Sequence, residues 1–298
     1  FKAFHETYYH PSNARVFFYG DDDPEERLRI IDEYLEDFER LDVESAIQLQ
    51  PPLEGARRIE RPYPVGDGQV PKAMVTVNWL LTENVDPLET LALAILSHVL
   101  IGTPASPLRK ALIDSGLGED VIGGGLDDSL RQLIFSVGLK GVETEEAQRV
   151  EDVVFSTLRE LAEEGIDPGT IEASVNTVEF RLREQNTGRY PRGLLLMVRA
   201  LTSWLHDGDP LAPIAFERPL REVKSRLEET PDYFESLIQG YLLENDQRTT
   251  LVLSPDPKLQ EHQEAAEKAR LAAVQAQLTE AEQLVVVEQT RHLKRLQE

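Results

Sequence analysis

The chain has 298 residues, of which 41% are hydrophobic, so it can bury the core of one large or two medium-sized domains. Its formal net charge of -23 comes from 54 acidic and 31 basic residues, and such a surface repels phosphate backbones and anionic lipid. This charge argues against both nucleic acid and membrane as partners. An acidic surface can attract cationic peptides, although more often it serves solubility alone.

The sequence contains no Cys, which excludes disulfides, thiolate zinc ligands and a Cys nucleophile and is compatible with either redox environment. The longest apolar run, Leu91 to Ile101, has about half of the ~20 residues that a membrane-spanning helix needs. Because the chain begins at Phe1 rather than Met and stops at Glu298 within a helical pattern, we expect a segment of a longer protein. We expect it to be soluble, and cytoplasmic if its source is bacterial.

The first part of the chain predicts a strand, a helix and a connector. Residues 15–19 (RVFFY) predict a short apolar strand that ends at Gly20. Acids and a Pro at residues 21–24 mark the start of a helix, and apolar residues at helical spacing continue it to about Leu41. A connector at 48–55 contains Pro and predicts a domain boundary.

The middle of the chain predicts strand pairs that alternate with helices. Alternation and β-branched content predict strands at 56–62, 73–81, 120–124, 132–140 and 249–253. Helical spacing between Asp-Pro starts and Gly stops predicts helices at 86–101, 106–115, 144–164, 168–185, 191–206, 213–228 and 231–244. This order predicts an α+β fold, in which an antiparallel β-sheet has helices packed on one side.

The last part of the chain differs in composition from the rest. Residues 258–298 contain no Gly, no Pro and no aromatic residue, and are rich in Ala, Glu, Gln and Leu. Thr279 and Glu282 have the spacing of a capping box, which predicts that a new helix starts there. The sequence therefore predicts an α-helical hairpin that turns near Leu278, with a modest apolar stripe on its second helix.

No set of residues forms a recognisable catalytic or metal-binding motif. His5, Glu6 and His10 have the spacing HExxxH rather than HExxH, and Pro11 favours an extended strand end with ordinary polar roles. His98 lies in an apolar helix and is expected to be a hydrogen-bonded core residue. The remaining histidines lack partners that resemble a ligand set: His206, His262 and His292. The sequence thus predicts no catalytic residue and no metal ligand in this chain.

A Gly-rich stretch around residues 116–125 does not predict a phosphate site. It follows a helix and precedes a strand, which is the reverse of the order in a phosphate-binding loop. Turn and bulge roles are expected for these glycines. The GxSxG motif of serine hydrolases is also absent from the sequence.

Three stretches together resemble one family of proteases. The first is residues 9–14 (YHPSNA), which lead to residues 17–21 (FFYGD). The second is residues 186–188 (NTG) and 191–194 (PRGL), followed by Trp204 and the Asp-Pro pair at 209–210. The third is the acidic, Ala-rich hairpin. The chain is similar over its whole length to the presequence-protease and falcilysin group of pitrilysin-type zinc metallopeptidases, which are relatives of insulin-degrading enzyme.

The resemblance implies three parts. Residues 1–47 correspond to the C-terminal end of the first, catalytic domain, residues 48–256 to a second pitrilysin-type α/β domain that is non-catalytic, and residues 257–298 to a helical hairpin linker. It also implies a parent protein of four related domains, in two halves that close around unfolded peptides. The expected partners are therefore peptide substrates and the other domains of the same chain.

The resemblance also implies that zinc and catalysis belong to other segments of the parent. The family's HxxEH motif supplies two His zinc ligands and a Glu that activates water, with a further Glu ligand downstream. None of the six histidines of this chain begins that motif. We therefore expect a non-catalytic segment of a zinc-dependent metalloendopeptidase, without zinc of its own.

A structural role is expected for five residues of the second stretch: Asn186, Gly188, Pro191, Arg192 and Gly193. Asn-Thr-Gly ends one helix and Pro191 begins the next, so polar groups here can satisfy free backbone ends. Substrate binding by Asn186 and Arg192 is the alternative. Two other interpretations of function stay open, a segment of a catalytically inactive relative and a free-standing peptide-binding module that uses its acidic face.

Overall fold

The computed structural model describes residues 1–66, 71–185 and 188–298. In these ranges the helices are α1 (Lys2–Tyr8), α2 (Pro24–Leu35), α3 (Pro87–Ile101), α4 (Pro107–Asp114), α5 (Ala147–Glu164), α6 (Pro168–Glu184), α7 (Arg192–Trp204), α8 (Glu217–Glu229), α9 (Tyr233–Ile238), α10 (Leu259–Gln277) and α11 (Glu280–Gln297). The strands are β1 (Arg57–Pro64), β2 (Ala73–Glu83), β3 (Asp120–Asp127), β4 (Gln132–Val142) and β5 (Arg248–Asp256). None of the helices in the described ranges combines the length and the apolar content that crossing a bilayer requires.

The five strands form one sheet in the order β1-β5-β2-β4-β3. The central strand β2 pairs antiparallel with both neighbours, so that Val77 lies opposite Val137 of β4 and Thr250 of β5. β3 is also antiparallel to β4, whereas β1 is parallel to β5 with Ile59 opposite Leu251. The predicted α+β fold is confirmed, with a mixed sheet. No tight turn joins β1 to β5, so nothing local forces that pair to be antiparallel.

One face of the sheet holds the core. Val75, Val77 and Trp79 of β2 have no exposed surface, because successive side chains of a strand point to opposite faces and these three share the face that packs on helices. Helices α3 and α5 supply buried leucine, isoleucine and valine side chains to the same cluster. The Trp79 indole donates a hydrogen bond of 2.8 Å to the Leu242 carbonyl, which satisfies its only polar atom inside the core.

The opposite face of the sheet is only half-buried. It carries the intervening residues, such as Thr76 and Asn78 of β2, Ser136 of β4 and Leu251 of β5. The register places these four residues next to one another across the three strands. The sheet therefore has one face in the core and one mixed polar and apolar face, as predicted for helices packed on one side.

Three helices begin at Asp-Pro pairs, as the sequence predicts. Asp23, Asp86 and Asp167 each precede a Pro that begins a helix, and each Asp side chain accepts a backbone N–H from the first turn. These contacts satisfy donors that lack a partner within the helix. Helix α2 ends at Leu35, earlier than the apolar spacing to Leu41 predicts. The apolar side chains beyond its end are exposed, so no packing extends the helix.

Residues 15–19 do not form the predicted strand. They pair with no strand of the described chain, and Phe18 and Tyr19 are exposed. The prediction is wrong because β-propensity reflects packing on a pleated surface, and no sheet edge accepts this segment. Its side chains instead contact helices, with the Arg27 guanidinium of α2 lying 5.3 Å from the Phe18 ring centroid.

The Gly-rich stretch forms a bulge in β3, as predicted. Pairing with β4 shifts register between Ile122 and Gly125. Gly123 has a φ of +90° and Gly125 a φ of +72°, values that side chains with a Cβ rarely adopt. A Cβ on Gly123 would lie 2.6 Å from the Ser136 carbonyl oxygen, so the bulge needs glycine for space as well as for conformation.

The last helices, α10 and α11, are separated by a break at Leu278, as the sequence predicts. The capping box is also confirmed, because Thr279 Oγ1 accepts the Glu282 N–H at 3.3 Å and Glu282 Oε2 accepts the Thr279 N–H at 2.8 Å. The apolar side chains of the two helices do not cover each other. Between 45% and 70% of the surface of each of the following residues is exposed: Leu271, Val274, Leu284, Val287, Leu293 and Leu296.

Candidate functional site

A cleft of about 470 Å³ lies between α7 and the body of the fold. Its lining includes Leu91 and Ala94 of α3, Val178 and Leu182 of α6 and Val198 of α7. Small-molecule sites typically have volumes of about 300 to 1,000 Å³ and a mainly apolar lining with a few polar groups. We therefore name this space the α7 cleft and treat it as the candidate functional site of the chain.

Hydrogen-bonded loops build one end of the α7 cleft. Arg131 donates through Nε to Glu83 at 2.9 Å, and through Nη1 to the carbonyl of Ile47. Asn84 donates to the Asp128 carbonyl at 2.7 Å. These contacts join the loop after β2 to the turn between β3 and β4 and to the connector near residue 47. The rim of the cleft is thus fixed by charge-assisted and amide hydrogen bonds.

Three other polar groups on the cleft walls have no partner side chain. The side chains of Arg199 and His206 make no hydrogen bond or ion pair with any residue that the structure describes, and the Asp128 carboxylate meets only its own backbone N–H. Asp128 is an exposed residue of the turn between β3 and β4. Partial burial lowers the pKa of His206, and the charge of Arg131 adds to this effect.

The motif at the start of α7 links two helices. Of its five predicted residues, Asn186 lies outside the described residues. Pro191 is the N-cap residue of α7, and Arg192 Nε donates to Gln185 Oε1 at 2.8 Å. Gln185 ends α6 in the left-handed conformation with a φ of 47°. Arg192 therefore bonds the end of one helix to the start of the next, and Gly188, with a φ of +59°, lies in the turn between them.

The two stretches that carry the family resemblance meet in space. Gly193 is buried against Tyr19, and a Cβ on this glycine would lie 2.5 Å from Cδ1 of the tyrosine ring. At the other end of α7, Arg15 donates to Asp207 at 2.8 Å and to the Trp204 carbonyl at 3.4 Å, with its guanidinium 6.0 Å from the indole centroid. Residues 15–19 therefore contact both ends of α7.

The described residues contain no group of three His, Asp or Glu side chains that could hold a metal ion. His5 lies in α1 and stacks on Tyr9 with 4.6 Å between ring centroids. His10 accepts the Ser12 N–H at 3.2 Å and packs edge-on against Phe38. The extended segment expected here is wrong for residues 2–8, where aromatic pairs four residues apart favour the helix α1, whereas His10 itself is extended.

His98 is buried, with 7% of its surface exposed, but neither ring nitrogen has a hydrogen-bond partner among the described residues. The hydrogen-bonded role expected for it is therefore wrong. The ring packs against Gly102, where a Cβ would lie 2.5 Å from His98 Cδ2. Burial lowers the pKa of the imidazole, and the charge of Arg181 acts in the same direction. His98 is thus a neutral core residue at pH 7.

The α7 cleft has no local sequence motif. Its polar residues come from four separate parts of the chain, and each type is common on protein surfaces. One feature of the sequence does indicate an apolar surface near the cleft. Residues 193–204 (GLLLMVRALTSW) are more apolar than a helix with one buried face requires. Only Gly193 and Ala200 of α7 are buried, so much of this apolar surface faces the cleft or solvent.

Comparison with known proteins identifies two family models. The model described as "Peptidase M16 inactive domain" matches residues 1–178, and a model of the region associated with subfamily C of the same peptidases matches residues 253–298. "Presequence protease 1, chloroplastic/mitochondrial" of Arabidopsis thaliana is 46% identical over 305 residues, which cover 100% of this chain and 28% of that protein. "Protein HypA" of Clostridium perfringens is 35% identical, over 100% of this chain and 30% of that protein. The chain spans under a third of either relative's length.

The fold has a counterpart among solved structures. The crystal structure of a protease from Helicobacter pylori superposes with a TM-score of 0.62 at 19% sequence identity, over 85% of this chain and 58% of that one. At this identity the likeness concerns the fold alone. The family assignment rests on the sequence matches, which agree with the motifs at residues 9–21 and 186–210. The chain belongs to the M16 (pitrilysin) family of peptidases, in the presequence-protease group that those motifs resemble.

Proposed function

We propose that this chain is a non-catalytic segment of a zinc-dependent metalloendopeptidase that degrades unfolded peptides inside an enclosed chamber. The observation that carries the proposal is the match of residues 1–178 to the inactive domain of M16 peptidases. The 46% identity to a presequence protease supports it. Since the chain spans under a third of that relative, the proposal includes a parent protein with further domains.

Zinc belongs to the other segments in this proposal. When bound, the metal supplies a Lewis acid that lowers the pKa of its water. The residues of this chain do not fit such a site, because the six histidines are spread along the chain, in α1, just after α1, in α3, beyond the end of α7, in α10 and in α11, and no HxxEH occurs. The contribution of the chain to catalysis is therefore the shape and charge of the chamber around the substrate.

The three predicted parts have distinct roles in this proposal. Residues 1–47 end the catalytic domain, and the contacts of Arg15 and Tyr19 with α7 hold that domain against the second one. Residues 48–256 form the second domain, whose half-buried sheet face lines the chamber. Residues 257–298 are the linker, and the exposed apolar stripe on α10 and α11 suits packing against other domains of the parent.

We assign a structural role to Gly188, Pro191, Arg192 and Gly193. The bond from Arg192 to Gln185 and the fit of Gly193 against Tyr19 support this role over substrate binding. Both contacts are made within the chain, so the Arg192 guanidinium already has a partner at the turn.

A cleavage assay on the longer parent tests the chamber. An unfolded peptide should be cut, the same sequence held inside a folded protein should not, and a zinc chelator should abolish the activity. Cleavage of the folded protein at a similar rate would contradict an enclosed chamber. Absence of cleavage together with absence of zinc would favour the alternative, in which the parent is a catalytically inactive relative.

A further inference from the structure

The half-buried sheet face carries two positive charges without an acidic partner. The five strands place the following charged residues on this face: Arg57, Arg61, Asp120, Asp127 and Lys140. Lys140 forms an ion pair of 3.2 Å with Asp120, and Asp127 accepts the Ser129 N–H at 3.0 Å. The two arginines, both from β1, are the charges on this face that have no ionic partner among the described residues.

The contacts of their neighbours show which way these arginines point. Arg58 donates to a glutamate of α5 at 2.9 Å, so its side chain lies on the helix side of the sheet. Because successive side chains of a strand point to opposite faces, Arg57, Ile59 and Arg61 lie on the half-buried face. Arg57 and Arg61 are exposed, and Arg61 donates at 2.8 Å to the Glu60 carbonyl, which carries no net charge. Both guanidinium groups are therefore accessible to a ligand on this face.

An apolar strip lies beside the two charges. Ile59 lies opposite Leu251 of β5, and the next apolar residue of β5 on this face, Leu253, lies opposite Met74 of β2. These four apolar side chains are half-buried. The whole chain has a net charge of -23, so an apolar strip flanked by unpaired cations differs from the rest of its surface. A complementary ligand carries both apolar and acidic side chains.

We propose that the half-buried sheet face binds an extended acidic peptide along β1, with acidic side chains on Arg57 and Arg61 and an apolar side chain between them on Ile59. The two arginines are four residues apart on one strand, which separates their Cα atoms by about 13 Å. An extended peptide separates its residues i and i+4 by the same distance, and its residue i+2 points to the same side. The matching pattern is therefore an apolar residue with one acidic residue two positions before it and another two positions after it.

The inference rests on the proposed function, in which this face lines a chamber that receives unfolded peptides. An unfolded peptide can adopt the extended conformation that the spacing of the arginines requires, whereas a folded protein presents few such segments. The pattern thus names the class of peptide segment that this wall of the chamber prefers.

Other partners match the face less well. A basic peptide would bring like charges to Arg57 and Arg61, which is unfavourable. A wholly apolar peptide would cover the strip beside Ile59 but would leave both guanidinium groups without a partner. Nucleic acid and anionic lipid carry negative charge, but the net charge of -23 repels polyanions of that size.

Fluorescence anisotropy of short peptides with blocked termini and a neutral dye tests the proposal on the 298-residue chain. The peptide Glu-Thr-Leu-Thr-Glu has the matching pattern. The peptide Thr-Glu-Leu-Glu-Thr has the same composition and charge, but in an extended conformation its acidic side chains point away from the side that presents Leu. It should bind about tenfold more weakly, since each exposed arginine–carboxylate contact contributes about threefold. The peptide Lys-Thr-Leu-Thr-Lys should bind more weakly still.

Substitutions on the two faces of β1 separate charge on this face from charge in general. Arg57→Gln and Arg61→Gln should each weaken Glu-Thr-Leu-Thr-Glu about threefold, and the double variant should bind the two acidic peptides equally. Arg58→Gln is the matched control, because it removes the same charge from the same strand but on the helix side. It should bind like the unsubstituted chain, and its thermal unfolding midpoint reports separately any stability lost with the Glu151 contact.

Four results would overturn the proposal. They are no binding of Glu-Thr-Leu-Thr-Glu, equal binding of the three peptides, an effect of Arg58→Gln as large as that of Arg57→Gln, and self-association of the chain that Arg61→Gln disperses. The last result, measured by sedimentation, would assign this face to a second copy of the chain. Because these assays measure binding without cleavage or zinc, their failure leaves the proposed chamber function intact.

Discussion

His98 couples the stability of the fold to pH through one buried ring. In the unfolded chain an imidazole takes up a proton below about pH 6.5. The folded pKa of His98 is lower, because burial and then the charge of Arg181 disfavour the imidazolium. Below about pH 6.5 the unfolded state therefore binds more protons than the folded state, and the free energy of unfolding falls as the pH falls.

Replacing His98 by Leu should remove this dependence. The free energy of unfolding is measured by urea denaturation at pH 7.5 and pH 5.5, about one pH unit either side of the ordinary imidazole pKa. We expect it to fall less between these two pH values in His98→Leu than in the unsubstituted chain. The matched control is His292→Leu, at an exposed position of α11, which should follow the unsubstituted chain at every pH. Equal pH dependence in the unsubstituted chain and in His98→Leu would show that this ring is not the group responsible.

Gly193 decides whether residues 15–19 can lie against α7. Gly193→Ala places a Cβ about 2.5 Å from the Tyr19 ring, so the segment must shift at a cost of about 1 to 3 kcal/mol. Trypsin cleavage after Arg15 should accelerate about tenfold, because cleavage follows the population of the opened segment. Gly240→Ala is the matched control, since a Cβ there meets nothing within 4 Å. An unchanged cleavage rate in Gly193→Ala would mean that this contact does not hold the segment.

Among the elements, the bulge in β3 holds two neighbouring glycines that should respond differently to replacement by alanine. Gly123 has a φ of +90° and no room for a Cβ, whereas its neighbour Gly124 has open space. Gly123→Ala should lower the free energy of unfolding by about 1 to 3 kcal/mol, while Gly124→Ala should be neutral or slightly stabilising. Urea denaturation of both variants measures the difference. Equal effects would contradict the bulge geometry.

The sequence predicts most of the elements because their signals are local. Asp-Pro starts, Gly stops and alternating apolar residues set β2, α3 and α6 within a few residues. The strand prediction for residues 15–19 is wrong because a strand needs a partner, and its own composition does not specify one. The parallel pairing of β1 with β5 is also not predictable, since it depends on the path of the whole intervening chain.

The candidate site is less predictable than the elements. The motif at residues 188–193 can be found from sequence because its residues are contiguous, and the Gly193 contact with Tyr19 joins it to the other motif. The α7 cleft is different, since its lining residues come from α3, α6, α7 and the turn between β3 and β4, which meet only after these elements have packed. The residues that line the cleft have no regular spacing in the sequence from which their common location could be predicted. The missing hydrogen bonds of His98 also depend on tertiary packing around Gly102.

At the scale of the whole molecule, the fold has one core face and two surfaces without a partner in the described chain. The sheet face opposite the core is half-buried, and the apolar side chains on α10 and α11 are exposed, although the chain has a net charge of -23. Both surfaces suit a domain that works inside a larger assembly. The M16 family membership and the length of the relatives point in the same direction.

We propose that the zinc and the catalytic residues of the parent protein lie outside this chain. The most direct test measures zinc content by atomic emission, together with chelator-sensitive peptide cleavage, on the 298-residue chain and on the longer parent in parallel. We expect about one zinc ion per chain and peptide cleavage in the parent, and neither zinc nor cleavage in the 298-residue chain. One tightly bound zinc ion per shorter chain, with cleavage that a chelator abolishes, would contradict it.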